Sequence, residues 1–170
     1  MMRRTLLMTC LLAMPLALAA EQPSVQVEPP NLHGSRTVES QTGAAVVRDY
    51  LESWQAFRTA MDQNRADLLS PDFAGTALDK LTETIHEQAA VGIHTRYTDR
   101  AHHLQIVFYS PEGLSLQMTD DAEYDMQVID HDKVLTTQHM HARYLVVLTP
   151  AEARWRVRIF QSEPAATPAD

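Results

Sequence analysis

The 170-residue chain is long enough for one domain and too short for two of ordinary size. Hydrophobic residues make up 45% of the sequence and charged residues 21%, which is typical of a chain that folds around an apolar core. The formal net charge of −8 excludes nucleic acid and anionic lipid surfaces as expected partners, because both are bound through a basic face.

The chain begins with the pattern of a secretory signal peptide. A basic head, Arg3-Arg4, precedes an apolar run from Leu6 to Leu18, and Ala17-Leu18-Ala19 supplies small residues before a cleavage site. The run is well short of the roughly 20 residues that a spanning helix requires. We therefore predict cleavage after Ala19 or Ala20, a periplasmic or secreted protein, and no membrane span after cleavage.

Cleavage removes two of the basic residues, Arg3 and Arg4, and the one cysteine, Cys10. The remaining chain has 22 acidic against 12 basic residues, which gives a net charge of −10. A thiol nucleophile, a thiolate metal site and a disulfide are excluded, so the apolar core alone is expected to hold the domain together. No residue pattern indicates a cofactor, and none is expected.

The chain divides into four predicted segments. Prolines and a glycine without a sustained hydrophobic period predict a flexible leader, and a similar composition predicts a disordered tail. The segments are the signal peptide at 1–20, the flexible leader at 21–41, one domain at 42–161 and the disordered tail at 162–170.

Two amphipathic helices are predicted at the start of the domain. Apolar residues at spacings of three and four indicate a helix from about Gly43 to Gln63. Its apolar stripe consists of Val47, Tyr50, Leu51, Trp54, Phe57 and Met61. Ser70-Pro71, a capping residue followed by proline, predicts the start of a second helix, and Gly92 predicts its end.

After Gly92 the hydrophobic period changes to two, which indicates four strands in an antiparallel meander with one apolar face. A single pairing register about the turn at 131–133 places apolar residues opposite apolar residues on one face and acidic residues opposite basic residues on the other. It pairs Tyr124 with Met140 and Ala122 with Ala142 on one face, and Asp125 with His139, Glu123 with His141 and Asp121 with Arg143 on the other.

The strand from Leu114 to Ile129 is predicted to bend, because a straight strand of that length would extend roughly 50 Å. The segment 119–121 is the predicted bulge. The last strand is predicted to turn Trp155, Val157 and Ile159 inward. The predicted fold class is therefore α+β, with N-terminal helices packed in the hollow of a curved four-stranded antiparallel meander.

This order of elements resembles the nuclear transport factor two-like (NTF2-like) superfamily. Within it, the order is similar to the IMS-type domains of plastid-division proteins. The matching stretches are Leu69 to Leu78, Ala142 to Leu145 and the tryptophan-centred strand Arg154 to Val157. The resemblance covers about Thr42 to Phe160 and implies a cystatin/NTF2-like cone. Members of the superfamily include isomerases, dehydratases, ligand carriers and interaction modules, so the fold does not select a function.

A candidate pocket lies in the predicted hollow, lined by Trp54, Tyr124, Tyr144 and Asp120, with His102 at its rim. An aspartate beside a tyrosine is a pair that transfers protons next to a carbonyl. The alternative is that the tyrosines are core aromatics and that Asp120 is a bulge residue. No catalytic motif supports the enzymatic interpretation, so no catalytic residue is predicted.

A candidate metal site lies on the outer face of the sheet. His139 and His141 share that face with Glu123, and imidazole and carboxylate are ligands that zinc accepts. The favoured interpretation is a solvated face of charge pairs, because three acids opposite three basic residues are what cross-strand pairing alone selects. No metal is therefore expected.

A candidate partner surface is the outer row Arg154, Arg156 and Arg158 of the last strand, which alternatively protects an edge strand by its charge. The leading hypothesis is an exported, non-enzymatic cone-fold domain that acts in protein interaction or dimerisation. The alternative is a small-ligand pocket or a proton-transfer enzyme of the SnoaL or ketosteroid-isomerase-like type.

Overall fold

The computed structural model describes residues 22–34 and 36–163, and the predicted signal peptide lies outside them. Two helices, α1 (Ser40–Gln63) and α2 (Gly75–Ala90), are joined through a 3₁₀ turn at Ala66–Leu69. The strands are β1 (Ser24–Val27), β2 (Ile93–Tyr109), β3 (Leu116–Asp130), β4 (Lys133–Pro150) and β5 (Trp155–Ser162). No helix of the described segments is both long and apolar enough to cross a membrane.

The sheet has the order β1-β2-β3-β4-β5, and β2 to β5 form the predicted antiparallel meander. The α+β class is therefore confirmed, with five strands in place of four. The additional strand is β1, which pairs parallel to β2 with Ser24 opposite Ala101.

The described residues before α1, which the composition assigned to a flexible leader, include β1 and run along β2. The chain follows β2 beyond β1, with Glu28 N bonded to Leu104 O at 2.8 Å and Asn31 N bonded to Ile106 O at 2.9 Å. The Arg36 guanidinium lies over the Tyr109 ring, 4.3 Å from its centroid. The hydrophobic period gave no signal for β1 because the whole strand is exposed and short. At the other end, Ser162 belongs to β5 rather than to a tail.

The predicted register of β3 and β4 is confirmed at all five named pairs. The bulge predicted at 119–121 is wrong, because Asp120 is regularly paired with Leu104 on one side and Tyr144 on the other. The irregularities of β2 lie instead between Asp99 and Ala101 and between Ile106 and Phe108. β4 and β5 are also irregular, at Leu135 and at Arg158, so β2 is not the one strand that interrupts the regular pairing.

The second helix begins at Gly75 rather than at Ser70-Pro71. Ser70 to Asp72 form a turn, and the residues that follow pair with β5, since Val157 N bonds Asp72 O at 2.8 Å and Ala74 N bonds Val157 O at 2.9 Å. This tertiary pairing prevents Ser70-Pro71 from acting as the helix start that the local sequence favours.

The last strand differs from the prediction at Ile159. A register shift leaves Arg158 without a paired residue on β4, since Val147 lies opposite Ile159 but Leu148 lies opposite Val157. The shift reverses the alternation, so Phe160 packs against the core and Ile159 is 37% exposed.

Candidate functional site

The hollow between α1 and the sheet is filled by the side chain of Trp54, which is 2% exposed. Its ring centroid lies 5.0 Å from that of His102, 5.5 Å from that of Tyr144 and 5.8 Å from that of Tyr124. Phe57 and Phe160 complete the cluster, at 5.4 and 5.5 Å. The predicted pocket residues are thus brought together, but they contact one another rather than an open space.

The two predicted tyrosines are bonded to each other within this cluster. Their hydroxyl oxygens are 2.8 Å apart, and the Tyr144 ring stacks on Phe160 with centroids 4.7 Å apart. Burial raises the pKa of both Tyr124 and Tyr144 above the usual tyrosine range. Both are therefore neutral hydrogen-bonding groups at ordinary pH, and neither is a ready base.

Asp120 is fully buried in the sheet beneath α1. Its Oδ2 atom accepts hydrogen bonds from Tyr50 Oη at 2.7 Å and from His102 Nδ1 at 2.8 Å. Trp54 Nε1 in turn donates to Tyr50 Oη at 2.6 Å. These bonds tie two residues of α1 to β2 and β3, so Asp120 is a structural anchor rather than the bulge residue considered from the sequence.

The chain of buried polar groups continues from His102 towards the surface. His102 Nε2 lies 3.7 Å from Asp99 Oδ2, and the Arg58 Nη1 atom lies 3.1 Å from the same oxygen. We call the six residues the buried polar chain; they are Trp54, Tyr50, Asp120, His102, Asp99 and Arg58. It contains two carboxylates, one guanidinium and one imidazole, so a protonated imidazole makes it electrically neutral.

The pKa of His102 supports that charge state. Burial lowers it, but the hydrogen bonds and charges of Asp120 and Asp99 outweigh burial and raise it to about 9. His102 is therefore an imidazolium at neutral pH. Both His102 and Asp120 are shielded from solvent, so no substrate in solution contacts either side chain in this structure.

A cleft of about 540 Å³ lies at the outer end of the buried polar chain. Its lining residues are Gln22, Pro23, Ser24, Arg58, Tyr97, Thr98, Asp99 and Arg100. The Asp99 Oδ1 and Arg58 Nε atoms are buried without hydrogen-bond partners beside it. Neither Arg58 nor Asp99 was predicted from the sequence. No local pattern marks Asp99, because the irregularity at Arg100 brings it to 3.7 Å from His102 despite their spacing of three.

The histidine-rich outer face does not assemble the considered zinc site. His139 Nδ1 lies 3.0 Å from Asp125 Oδ1, and Arg100 also bonds Asp125. Hydrogen bonds from Arg100 and His139 lower the pKa of Asp125. His141 lies opposite Glu123. Across residues 22–34 and 36–163, no group of three or more potential ligands is arranged to hold a metal ion.

Two of the three arginines in the predicted partner surface make contacts within the domain. Arg154 pairs with Asp72 and, at 3.4 Å, with Glu52. Arg156 Nη2 donates to Ser70 O at 2.6 Å. Arg158 is exposed, and it occupies the irregular position of β5. Arg154 therefore links the start of β5 to α1 and to the segment before α2, and Arg156 bonds the same segment. Of the three, Arg158 is the one that keeps the exposed position predicted for the row.

No family model matches the sequence, and no curated protein matches it. Solved structures do match the fold. The chain is similar to the intermembrane space region of the chloroplast protein ARC6, with a TM-score of 0.60 and 15% identity over 75% of this chain and 98% of that one.

The chain is also similar to ActVI-ORFA from Streptomyces coelicolor, with a TM-score of 0.50 and 11% identity over 73% of this chain and 98% of that one. Aln2 from another Streptomyces strain gives a TM-score of 0.50 and 12% identity over 75% and 93%. At these identities the likeness shows the fold alone. The chain has the NTF2-like fold, as the resemblance of its sequence implied.

Proposed function

We propose that this chain is an exported, non-enzymatic domain that acts by binding another protein chain or a second copy of itself. The observation that carries the proposal is the combination of a closed hollow and an open sheet edge. Trp54 occupies the hollow, whereas β4 is exposed from Lys133 to His139, with Val134 46% and Leu135 52% exposed.

The alternative function, a small-ligand pocket or proton-transfer enzyme, requires an accessible acid–base pair in the hollow. His102 and Asp120 form such a pair chemically, but both are enclosed by Trp54, Tyr50 and the sheet. General acid–base catalysis needs a group within hydrogen-bond reach of the substrate proton. The arrangement is therefore better suited to holding α1 against the sheet than to catalysis.

Export is supported by the sequence of residues 1–20, which has the basic head, short apolar run and small-residue cleavage pattern of a secretory signal. Arg158 and the outer face of the sheet remain candidate contacts for a partner. The open edge of β4 is the surface we favour, because no described strand pairs with its outer side before Tyr144 and exposed apolar side chains lie along it.

Site-specific photocrosslinking in the producing cell tests this proposal. A photoreactive amino acid at Leu135 is expected to yield an adduct with a second polypeptide, and the same probe at the exposed Gln55 of α1 serves as the matched control. Mass spectrometry identifies the second chain.

Mass spectrometry of the uncrosslinked protein also tests export, since that protein is expected to begin at Ala20 or Glu21. A chain that keeps Met1 contradicts export, and the lack of any adduct at Leu135 contradicts the interaction.

A further inference from the structure

An apolar groove lies between α1 and the segment that leads to it from β1. Its volume of about 720 Å³ falls within the range of small-molecule sites. Residues of β1, α1 and β2 line it, and none of the aromatic side chains that fill the hollow is among its described lining residues. The apolar lining residues include Val27, Pro30, Ala44, Val47, Leu51 and Ile106. The groove is therefore a second concave apolar surface, distinct from the closed hollow.

The groove is elongated and open to solvent. Its lining on α1 extends from Glu39 to Leu51, which is roughly 18 Å along the helix axis. Val27 is 51% exposed, although Leu104, the residue opposite it on β2, is fully buried. Exposed apolar surface that is bounded by polar residues is typical of a ligand-binding groove. An extended apolar chain fits this shape and covers this surface.

The charged residues of the groove favour a cation. Glu28 and Glu39 both line it, and the Glu39 side chain makes no capping hydrogen bond at the start of α1. Arg48 is the one basic residue among the described lining residues, and its Nε and Nη2 atoms bond Asp49 Oδ1 at 2.9 and 2.7 Å. Asp49 thus neutralises Arg48, and the charge of two carboxylates remains.

The N-terminus of α1 does not cancel this negative charge. A helix N-terminus carries about half a unit of positive charge, which is smaller than the charge of the two carboxylates. The net charge of the whole chain, −8, also favours the approach of a cation.

We propose that this groove binds an amphiphile with an extended apolar chain and a primary ammonium head. The chain lies along Val27, Val47 and Leu51, and the ammonium donates hydrogen bonds to the carboxylate of Glu39. A primary alkylamine is protonated at neutral pH, as the side chain of lysine is. The inference goes beyond the proposed function, since it requires neither a protein partner nor export.

Isothermal titration of the purified full chain with three probes that share an eight-carbon chain tests the inference. The probes are octylammonium, 1-octanol and octanoate, each kept below its micelle concentration. Octylammonium is expected to bind most tightly and octanoate least tightly, because only the head group differs. Decylammonium is expected to bind up to about tenfold more tightly than octylammonium, since it buries two more methylene groups.

Two pairs of variants locate the head and the chain of the probe. Glu39→Gln is expected to weaken octylammonium binding by about threefold to fivefold, the size of an exposed charge pair, and to leave 1-octanol unchanged. Glu87→Gln makes the same charge change on exposed α2, outside the groove, and is expected to have no effect.

The second pair concerns the apolar wall. Val27→Ser is expected to weaken both octylammonium and 1-octanol, because both chains lie against Val27. Val25→Ser is the matched control, since Val25 is exposed on the same strand but does not line the groove. Unchanged melting temperatures show that all four variants are folded.

Three results would overturn the inference. Octanoate binding as tight as that of octylammonium, or no effect of Glu39→Gln, contradicts the ammonium head. Binding that Val27→Ser leaves unchanged places the probe outside the groove. The absence of saturable binding by all three probes contradicts the site itself. None of these results bears on a protein partner, which the probe at Leu135 tests separately.

Discussion

Replacing Trp54 by alanine is expected to lower the free energy of unfolding by about 3–5 kcal/mol, the range for removing a large aromatic side chain from a core. The indole fills the centre of the hollow, and four other aromatic rings and His102 surround it. Its loss leaves a cavity and also removes the hydrogen bond that Trp54 Nε1 donates to Tyr50. Urea denaturation at neutral pH measures the change.

The chain contains a second tryptophan that serves as the matched control for this substitution. Trp155 is only half-buried at the start of β5, so Trp155→Ala removes the same side chain with less loss of packing. It is expected to cost clearly less than Trp54→Ala. Equal losses at the two positions would contradict the view that Trp54 is the centre of the core.

The stability of the domain is expected to fall as pH rises from about 6.5 to above about 9. The pKa of His102 is raised from its ordinary 6.5 to about 9 in the folded protein. The folded state therefore holds a proton that the unfolded chain releases over this interval, and the stabilisation is complete only below pH 6.5. A shift of this size corresponds to a loss of up to about 3 kcal/mol.

Two neighbouring histidines allow a matched test of this pH dependence. His102→Gln is expected to abolish the fall in stability between pH 6.5 and 9, because the titrating group in the buried polar chain is gone. His103→Gln is expected to preserve it, since His103 is exposed on the opposite face of β2. Denaturant titrations at several pH values measure both. The same slope in His102→Gln as in the parent would show that another group is responsible.

The sequence predicted the meander and the register of β3 and β4 because the alternation has a period of two without interruption there. Tyr124 opposite Met140 and Asp125 opposite His139 are consistent with a single register, and a shift by one residue would exchange the faces. The first helix was likewise predicted well, because its apolar stripe is continuous. Its predicted start, Gly43, lies three residues after the observed start, Ser40.

The features that the sequence did not predict depend on contacts between distant segments. β1 is a short, exposed strand held by bonds to β2, and the start of α2 is shifted by pairing of Asp72 and Ala74 with β5. The buried polar chain was recognised only in part. Tyr50 was assigned to an apolar stripe, and Asp99 joined His102 through an irregularity in β2 that no local pattern marks.

Acrylamide quenching of tryptophan fluorescence in the Trp155→Phe variant measures whether the side chain of Trp54 closes the hollow. Trp54 is then the only tryptophan, because the chain contains two. The structure predicts emission at short wavelength and quenching far weaker than that of free N-acetyltryptophanamide. Quenching close to that of the free compound, in a variant with an unchanged melting temperature, would show that the hollow is open to solvent.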